Sequence, residues 1–446
     1  MTKPITEKPP ILLTSADYYG TLAAARLLGQ QGFRVTMAHP DGTAPASWSR
    51  YVARRIRCPR LSPPGPFIRW LIEFGRKNPG HLYYPTSDDH AWVIAAHAAE
   101  LTPYFTMLAP PLASLERLLD KATLHSLCAE AGIETPRAWY PRDLQELERI
   151  AGDVTLPVLI KQRTQVLSST HSKGVEASTV SEMLAGFERF CRQNLHDPAI
   201  QRSRPDACRP MIQEYVSGVD DGTLIIAGFA DRDGRVLAAR AGIKVLQRPR
   251  RLGIALCLEE APLPEKLVAA LGRLCRAAGY FGVFHVEFIR AGDRLLLIDF
   301  NPRYYHHMSF EIARGMPLPL FVVHAALGDK AALAQLAVDA RESAEPAGRA
   351  FTHWFILRVM VTGQRLFGAM TPLEAKGWRQ WARAHRGAMT DAVWDRADWK
   401  PWFLDSAGHL ADWMRHPRAF MRRTLGMRPW QGLAPRWAVL VEKGGK

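Results

Sequence analysis

The chain of 446 residues lacks the short signatures of several common enzyme sites. It has no G-x-x-x-x-G-K-[ST], which excludes a P-loop, and no H-E-x-x-H, which excludes that zinc protease helix. The absence of G-x-S-x-G excludes a nucleophile elbow. Six cysteines (Cys58, Cys128, Cys191, Cys208, Cys257, Cys275) are scattered without a C-x-x-C pair. That argues against a zinc site or a disulfide framework and suits a reducing, cytoplasmic setting. No apolar run approaches the roughly 20 residues of a membrane span, and the longest, around Pro317 to Leu327, is too short. The opening MTKPITEKPP has no apolar stretch, so no signal peptide is expected. Net charge is +15 but is spread along the chain. Without dense basic blocks no nucleic-acid partner is expected; anionic substrates are permitted.

At 47% hydrophobic, the chain is long enough for more than one domain. Residues 11–38 read as strand, turn, helix, strand: Ile11–Leu13, a polar turn to Gly20, a helix over Thr21–Gln31, and Phe33–Met37. This βαβ opening implies a parallel sheet. The turn TSADYYG holds only one glycine, so a dinucleotide fold is not expected. A further strand, Leu82–Tyr84, leads into PTSDDH, where Asp88 and Asp89 either face a ligand or are N-terminal acids stabilised by the dipole of the next helix. A single helix is expected over Ser114–Ala131, ending at Gly132. Pro157–Ile160 is a buried strand ending in Lys161, and the polar loop LSSTHSKGV (167–175) follows. Met211–Val216 is a strand, and Thr223–Phe229 and Val236–Ile243 form an antiparallel pair around DRDG. The polar stretch 187–210 reads as a surface connection, and RESAEPAGRA (341–350) as a linker.

The most informative segment is HVEFIRAGDRLLLIDFNPR, His285 to Arg303. It reads as two strands around a Gly-Asp turn. Val283, His285, Glu287 and Ile289 alternate against Phe284, Val286 and Phe288; Leu295, Leu297, Asp299 and Asn301 alternate against Leu296, Ile298 and Phe300. A connecting loop of odd length would put Glu287 on the face of Asp299 and Asn301. Three hard oxygen ligands would then converge, as Mg²⁺ on a nucleotide's phosphates requires. Arg303 adds a permanently charged planar fork. Buried carboxylates need compensation, and on the hairpin alone a salt bridge and a metal remain equally open.

Nine of the thirteen tryptophans follow residue 350. WRQWARAH (378–385) and LADWMRHPRAFMRRTL (410–425) show helical apolar spacing with many arginines. One reading is a helical accessory domain with tryptophan in its core; the other is an amphipathic surface for a membrane or a partner.

Taken in order, LDKATL, VLIKQRT, MIQEYVSG, the acidic hairpin and NPR resemble the ATP-grasp superfamily, nearest its carboxylate–amine ligase and carbamoyl-phosphate-synthase-like branch. The resemblance covers roughly residues 10–330. It implies an α/β (α+β ATP-grasp) fold with a Rossmann-like domain over 1–115 and a two-lobed ATP-grasp domain over 116–330. A helical, Trp-rich C-terminal extension over 345–446 would follow. It further implies that Lys121 contacts ATP phosphate and that Lys161 reaches the α-phosphate and adenine side. Ser172, Lys173 and Gly174 would lie in the phosphate loop. Gln213, Glu214, Tyr215 and Val216 would line the adenine, and Asp221 would bind the ribose. Glu287, Asp299 and Asn301 match the magnesium ligands, with Mn²⁺ as an alternative ion. Arg303 matches the arginine facing the transferred group, and Lys244 and Arg248 are further catalytic cations. The chain departs from relatives in carrying Asp299 where most have Glu, and in a glycine-poor phosphate loop.

The reaction so implied activates a carboxylate as an acyl phosphate and couples it to an amine, an amino-acid-type substrate being expected. The alternatives are an ATP-binding protein of the same fold without ligase activity, or a membrane- or partner-binding protein led by the tail. A homodimer is an open expectation.

Overall fold

The computed structural model describes residues 8–169, 174–193, 195–216, 222–249, 253–343 and 348–425. Three sheets organise them. The first is parallel: β1 (Ile11–Leu13), β2 (Val35–Ala38), β3 (Val52–Ile56), β4 (His81–Tyr83) and β5 (Phe105–Met107), in the order β3-β2-β1-β4-β5. Alternation places Ile11 and Leu13 in one apolar cluster and Leu12 in another on the opposite face. The second sheet holds β6 (Ala138–Trp139), β7 (Val158–Gln162), β8 (Val175–Ala177) and β9 (Pro210–Glu214), in the order β6-β9-β7-β8. With the amphipathic helix Val180–Arg192 it closes a small core around Ile160, Met183 and Phe187.

The third sheet is the largest: β10 (Thr223–Ala230), β11 (Val236–Arg248), β12 (Ile254–Ala261), β13 (Gly282–Ala291), β14 (Arg294–Asn301), β15 (Ala350–Thr352) and β16 (Met389–Asp391). Its order is β14-β13-β10-β11-β12-β15-β16. One face packs on the helices Lys121–Ala131 and Glu265–Ala278 through Leu124, Leu127, Leu271, Phe284 and Phe288. The other packs on the first sheet's layer, where Ile225, Phe229 and Val283 join Leu13, Leu22 and Tyr305 in one core. Contact there is close at Gly20, where a Cβ would lie 2.3 Å from the Tyr305 carbonyl oxygen, so only glycine fits.

Three local expectations change. The single helix over 114–131 is two, Leu112–Leu119 and Lys121–Ala131, broken at Asp120. The stretch 187–210 carries the end of the helix Val180–Arg192 and a short helix, Pro198–Ser203, because Asp197 caps the latter. The linker 341–350 joins the helix Lys330–Glu342 to β15, which pairs antiparallel with β12. The tail therefore extends the central sheet. Its helices Trp354–Leu366, Pro372–Ala384 and Lys400–Arg415 pack around Ile356, Met360 and Trp413. Trp413 is buried, but Trp354, Trp394 and Trp399 are exposed, so tryptophan supplies only part of that core.

Buried carboxylates pin the tail to the first sheet's layer. Asp398 accepts from Arg26 Nε at 2.9 Å, Ser49 Oγ at 2.7 Å and the Arg50 backbone N–H at 2.8 Å. Asp405 accepts from Tyr19 at 3.0 Å and His353 at 2.8 Å. Asp398→Ala leaves Arg26 desolvated without its counter-charge, a change that costs about 3 kcal/mol. A lowered thermal and urea midpoint is the expected result; an unchanged midpoint denies the pin.

Candidate active site

The β13–β14 hairpin turns through two residues, Gly292 and Asp293, with Ala291 opposite Arg294. An even turn alone would set Glu287 against Ile298 and send the acids to opposite faces. A β-bulge between Glu287 and Phe288 corrects this: Phe288 pairs with Leu297, Glu287 with Asp299, and Ile298 is the extra residue. The turn is even, so the condition of an odd loop is not met, and the bulge does its work. It also moves Leu297 off the acidic face and into the core with Phe288 and Phe300.

Glu287 and Asp299 thus stand opposite each other, with Asn301 beside them opposite His285. Each acid meets a cation from a different element. Lys244, almost fully buried on β11, reaches across β10 to Glu287 at 2.6 Å. Lys121, the first residue of its helix, meets Asp299 at the sheet edge. That lysine is set by its neighbour: Asp120 caps the helix through the Ala122 N–H and takes a two-pronged bond from Arg163, at 3.0 and 2.6 Å. The Lys121 backbone N–H also donates to the Arg163 carbonyl at 3.0 Å, tying the helix to the end of β7.

Arg303 is buried and gripped by both oxygens of Asp88, each at 2.9 Å. Its Nη2 also donates to Asn301 Oδ1 at 2.8 Å, fixing the amide. Burial opposes its charge, but Asp88 holds its pKa above the ordinary arginine value. Asp88 is both a first-turn acid of the helix Asp88–Ala96 and a partner of the site, while Asp89 accepts from the Leu167 N–H at 2.7 Å. Burial pushes His285 down to about 4 against the pull of Glu287. It pushes His307 well below its ordinary value, helped by His285 and Lys244. Both rings are neutral near pH 7, and the Nε2 of each has no partner among the described residues.

The other named residues lie on other elements. Lys161 lies on β7 of the second sheet; its charge and that of Lys121 both act on His125, which burial chiefly pushes down to about 3. Gln213 and Glu214 end β9, with Tyr215 and Val216 just beyond. Gln213 is buried with its Oε1 unpartnered among the described residues, and Glu214 Oε1 accepts from the Arg137 N–H at 2.8 Å. Gly174 has φ +122° and passes close to Ile160, where a Cβ would lie 3.1 Å from the carbonyl oxygen. Arg248 ends β11, and its charge acts on Tyr19, His306 and His409. Ser172, Lys173 and Asp221 lie outside the described residues. Sequence reading missed Asp120, Arg163 and the pairing role of Asp88; the helix break at an Asp-Lys step was the available signal for the first.

Two carboxylates and an amide on adjoining strands are a donor set of hard oxygens that fits Mg²⁺. Lys121 pairs with Asp299 and Lys244 with Glu287.

No protein-family model matches the chain. It is similar to the D-aspartate ligase of Enterococcus faecium, 21% identical over 332 residues, covering 70% of this chain and 75% of that protein. Among solved structures it resembles the L-amino acid ligase from Bacillus licheniformis, with TM-score 0.56 and 15% identity over 73% of this chain and 76% of that one. It also resembles a nucleotide complex of biotin carboxylase from Campylobacter jejuni, with TM-score 0.58 and 15% identity over 72% and 71%.

Asp88→Asn removes the counter-charge of a buried guanidinium and is expected to lower stability by about 3 kcal/mol. Equilibrium unfolding measures it. A wild-type unfolding midpoint would show that Arg303 does not depend on Asp88.

Proposed function

We propose that this chain, which has the ATP-grasp fold, is an ATP-dependent carboxylate–amine ligase. The observation that carries the reading is the facing pair Glu287 and Asp299 with Asn301 beside them, each acid held by its own lysine. The similar proteins named as ligases of D-aspartate and of L-amino acids support an amino-acid-type substrate. Six free cysteines, three of them buried, are in keeping with a cytoplasmic setting. We divide the chain at 1–115, 116–330 and 345–446.

In this reaction a carboxylate oxygen attacks the γ-phosphorus of ATP and ADP leaves. The amine nitrogen then attacks the acyl carbon, phosphate departs, and the nitrogen loses a proton. Mg²⁺, or Mn²⁺, supplies charge neutralisation for the phosphates when bound. Glu287, Asp299 and Asn301 would hold it. Lys121 and Lys244 are the cations placed to turn from the acids to phosphate oxygens, where charge develops in the transition state. Lys161 would reach the α-phosphate from β7, and Gly174 would let backbone amides approach with Ser172 and Lys173. Gln213, whose Oε1 has no partner among the described residues, is an acceptor for the adenine beside Glu214, Tyr215 and Val216; Asp221 would take the ribose. Arg303, already bound by Asp88, orients the Asn301 oxygen and presents fixed positive charge to the transferred group. Arg248 would meet substrate charge at the far end of β11. An acyl phosphate hydrolyses, so the 167–175 loop would need to exclude water.

A screen of amino acids and small carboxylates for ADP release, with mass spectrometry of the product, tests the reading. Substrate-dependent ADP and a new amide are expected. ATP binding with no ADP from any mixture would favour an ATP-binding protein without ligase activity. Glu287→Ala and Asn301→Ala are each expected to cut magnesium-dependent turnover by about 100-fold or more. Full activity in either overturns the metal assignment. Lys161→Ala should weaken ATP binding by about tenfold or more, read by titration calorimetry; unchanged affinity removes Lys161 from the nucleotide site.

A further inference from the structure

The helix Lys400–Arg415 has two unlike faces. Inward it buries Pro401, Asp405, Ser406 and Trp413. Outward, Phe403, Leu410 and Met414 follow Trp399 at spacings of four, seven and four residues, which is one helical stripe. With Trp394, these side chains are 48 to 77% exposed. They are held in place: Trp394 meets Trp402, itself packed on the core, edge-on at 5.3 Å, and Trp399 meets Phe403 edge-on at 6.4 Å. A folded protein does not leave an aromatic ridge of this kind in water without consequence.

The charges around the ridge are mostly of one sign. Arg396, Lys400, Arg415 and Arg418 are exposed beside it. Of the nearby acids, Asp405 and Asp398 turn inward, Asp391 and Asp395 are half-buried and accept backbone N–H groups, and Asp412 is exposed. Tryptophan with flanking arginine and lysine suits the headgroup zone of a bilayer, where the rings enter the acyl boundary and the cations stay at the phosphates. We propose that this ridge rests on the surface of an anionic lipid bilayer, with the chain held peripherally. No described helix is long and apolar enough to cross a membrane. The proposal is independent of the ligase reading.

The full chain can be floated with vesicles of phosphatidylcholine alone, and of phosphatidylcholine with phosphatidylglycerol at about 3:1. Co-flotation is expected with the anionic vesicles and about tenfold less with the neutral ones or at high salt. The combined change Trp399→Ser, Phe403→Ser, Met414→Ser should reduce anionic binding about tenfold or more while ATP affinity and thermal midpoint stay as in wild type. Arg396→Glu with Lys400→Glu should do the same without touching the apolar stripe. Absence of co-flotation overturns the proposal, as does undiminished binding by both variants. A concentration-dependent dimer that the serine changes abolish, with vesicles left empty, would overturn it in favour of a second copy of the chain.

Discussion

Two carboxylates set opposite each other on neighbouring strands repel, and the repulsion grows as water is withdrawn. Glu287 and Asp299 are placed in this way, and much of the structure around them supplies the compensating charge. Lys244 comes from β11, two strands away, and Lys121 from a helix packed on the opposite face of the sheet. Neither lysine is free to arrive from elsewhere. Lys244 is held by its strand, and Lys121 by the Asp120 cap and the Arg163 clamp. The acids thus draw the helix Lys121–Ala131, the end of β7 and the largest sheet into one electrostatic unit.

The same requirement ties in the N-terminal sheet. Asp88 opens the helix after β4 and closes on Arg303, which in turn fixes Asn301. The guanidinium of Arg303 is thereby matched in charge and hydrogen-bonded on both prongs, which fixes it in place. His285 and His307 contribute differently. Burial keeps them neutral, so they crowd the acidic face without adding charge to it.

The tail is built on the same sheet and faces two ways. Its inward carboxylates, Asp398 and Asp405, join it to the first sheet's layer, while β15 and β16 lengthen the central sheet. Its outward ridge is a separate matter, set by which side of one helix the buried pins occupy. Once Asp405 and Trp413 face in, Phe403, Leu410 and Met414 must face out.

Strands β1, β2, β4, β7, β9, β10, β11, β13 and β14 and the acids at the hairpin were legible because side-chain alternation and turn residues are local properties, whereas β3, β5, β6, β8, β12, β15 and β16 and the order of strands in each sheet were not. The first βαβ unit, β7 ending near Lys161, and the shared face of Asp299 and Asn301 were all visible this way. The bulge at Ile298 was not, because one extra residue in an apolar strand leaves no mark on composition. Yet it alone decides that Glu287 and Asp299 share a face. The partners of the charges were equally hidden: Lys121 lies 178 residues from Asp299, and Asp88 lies 215 from Arg303. The sequence by itself determined which residues could carry metal and phosphate chemistry, since chemistry belongs to side chains. Only the tertiary structure decided which of them meet, which cations balance the acids, and which tryptophans reach the surface. Those outcomes depend on packing between segments far apart in the chain, and local periodicity carries no term for it.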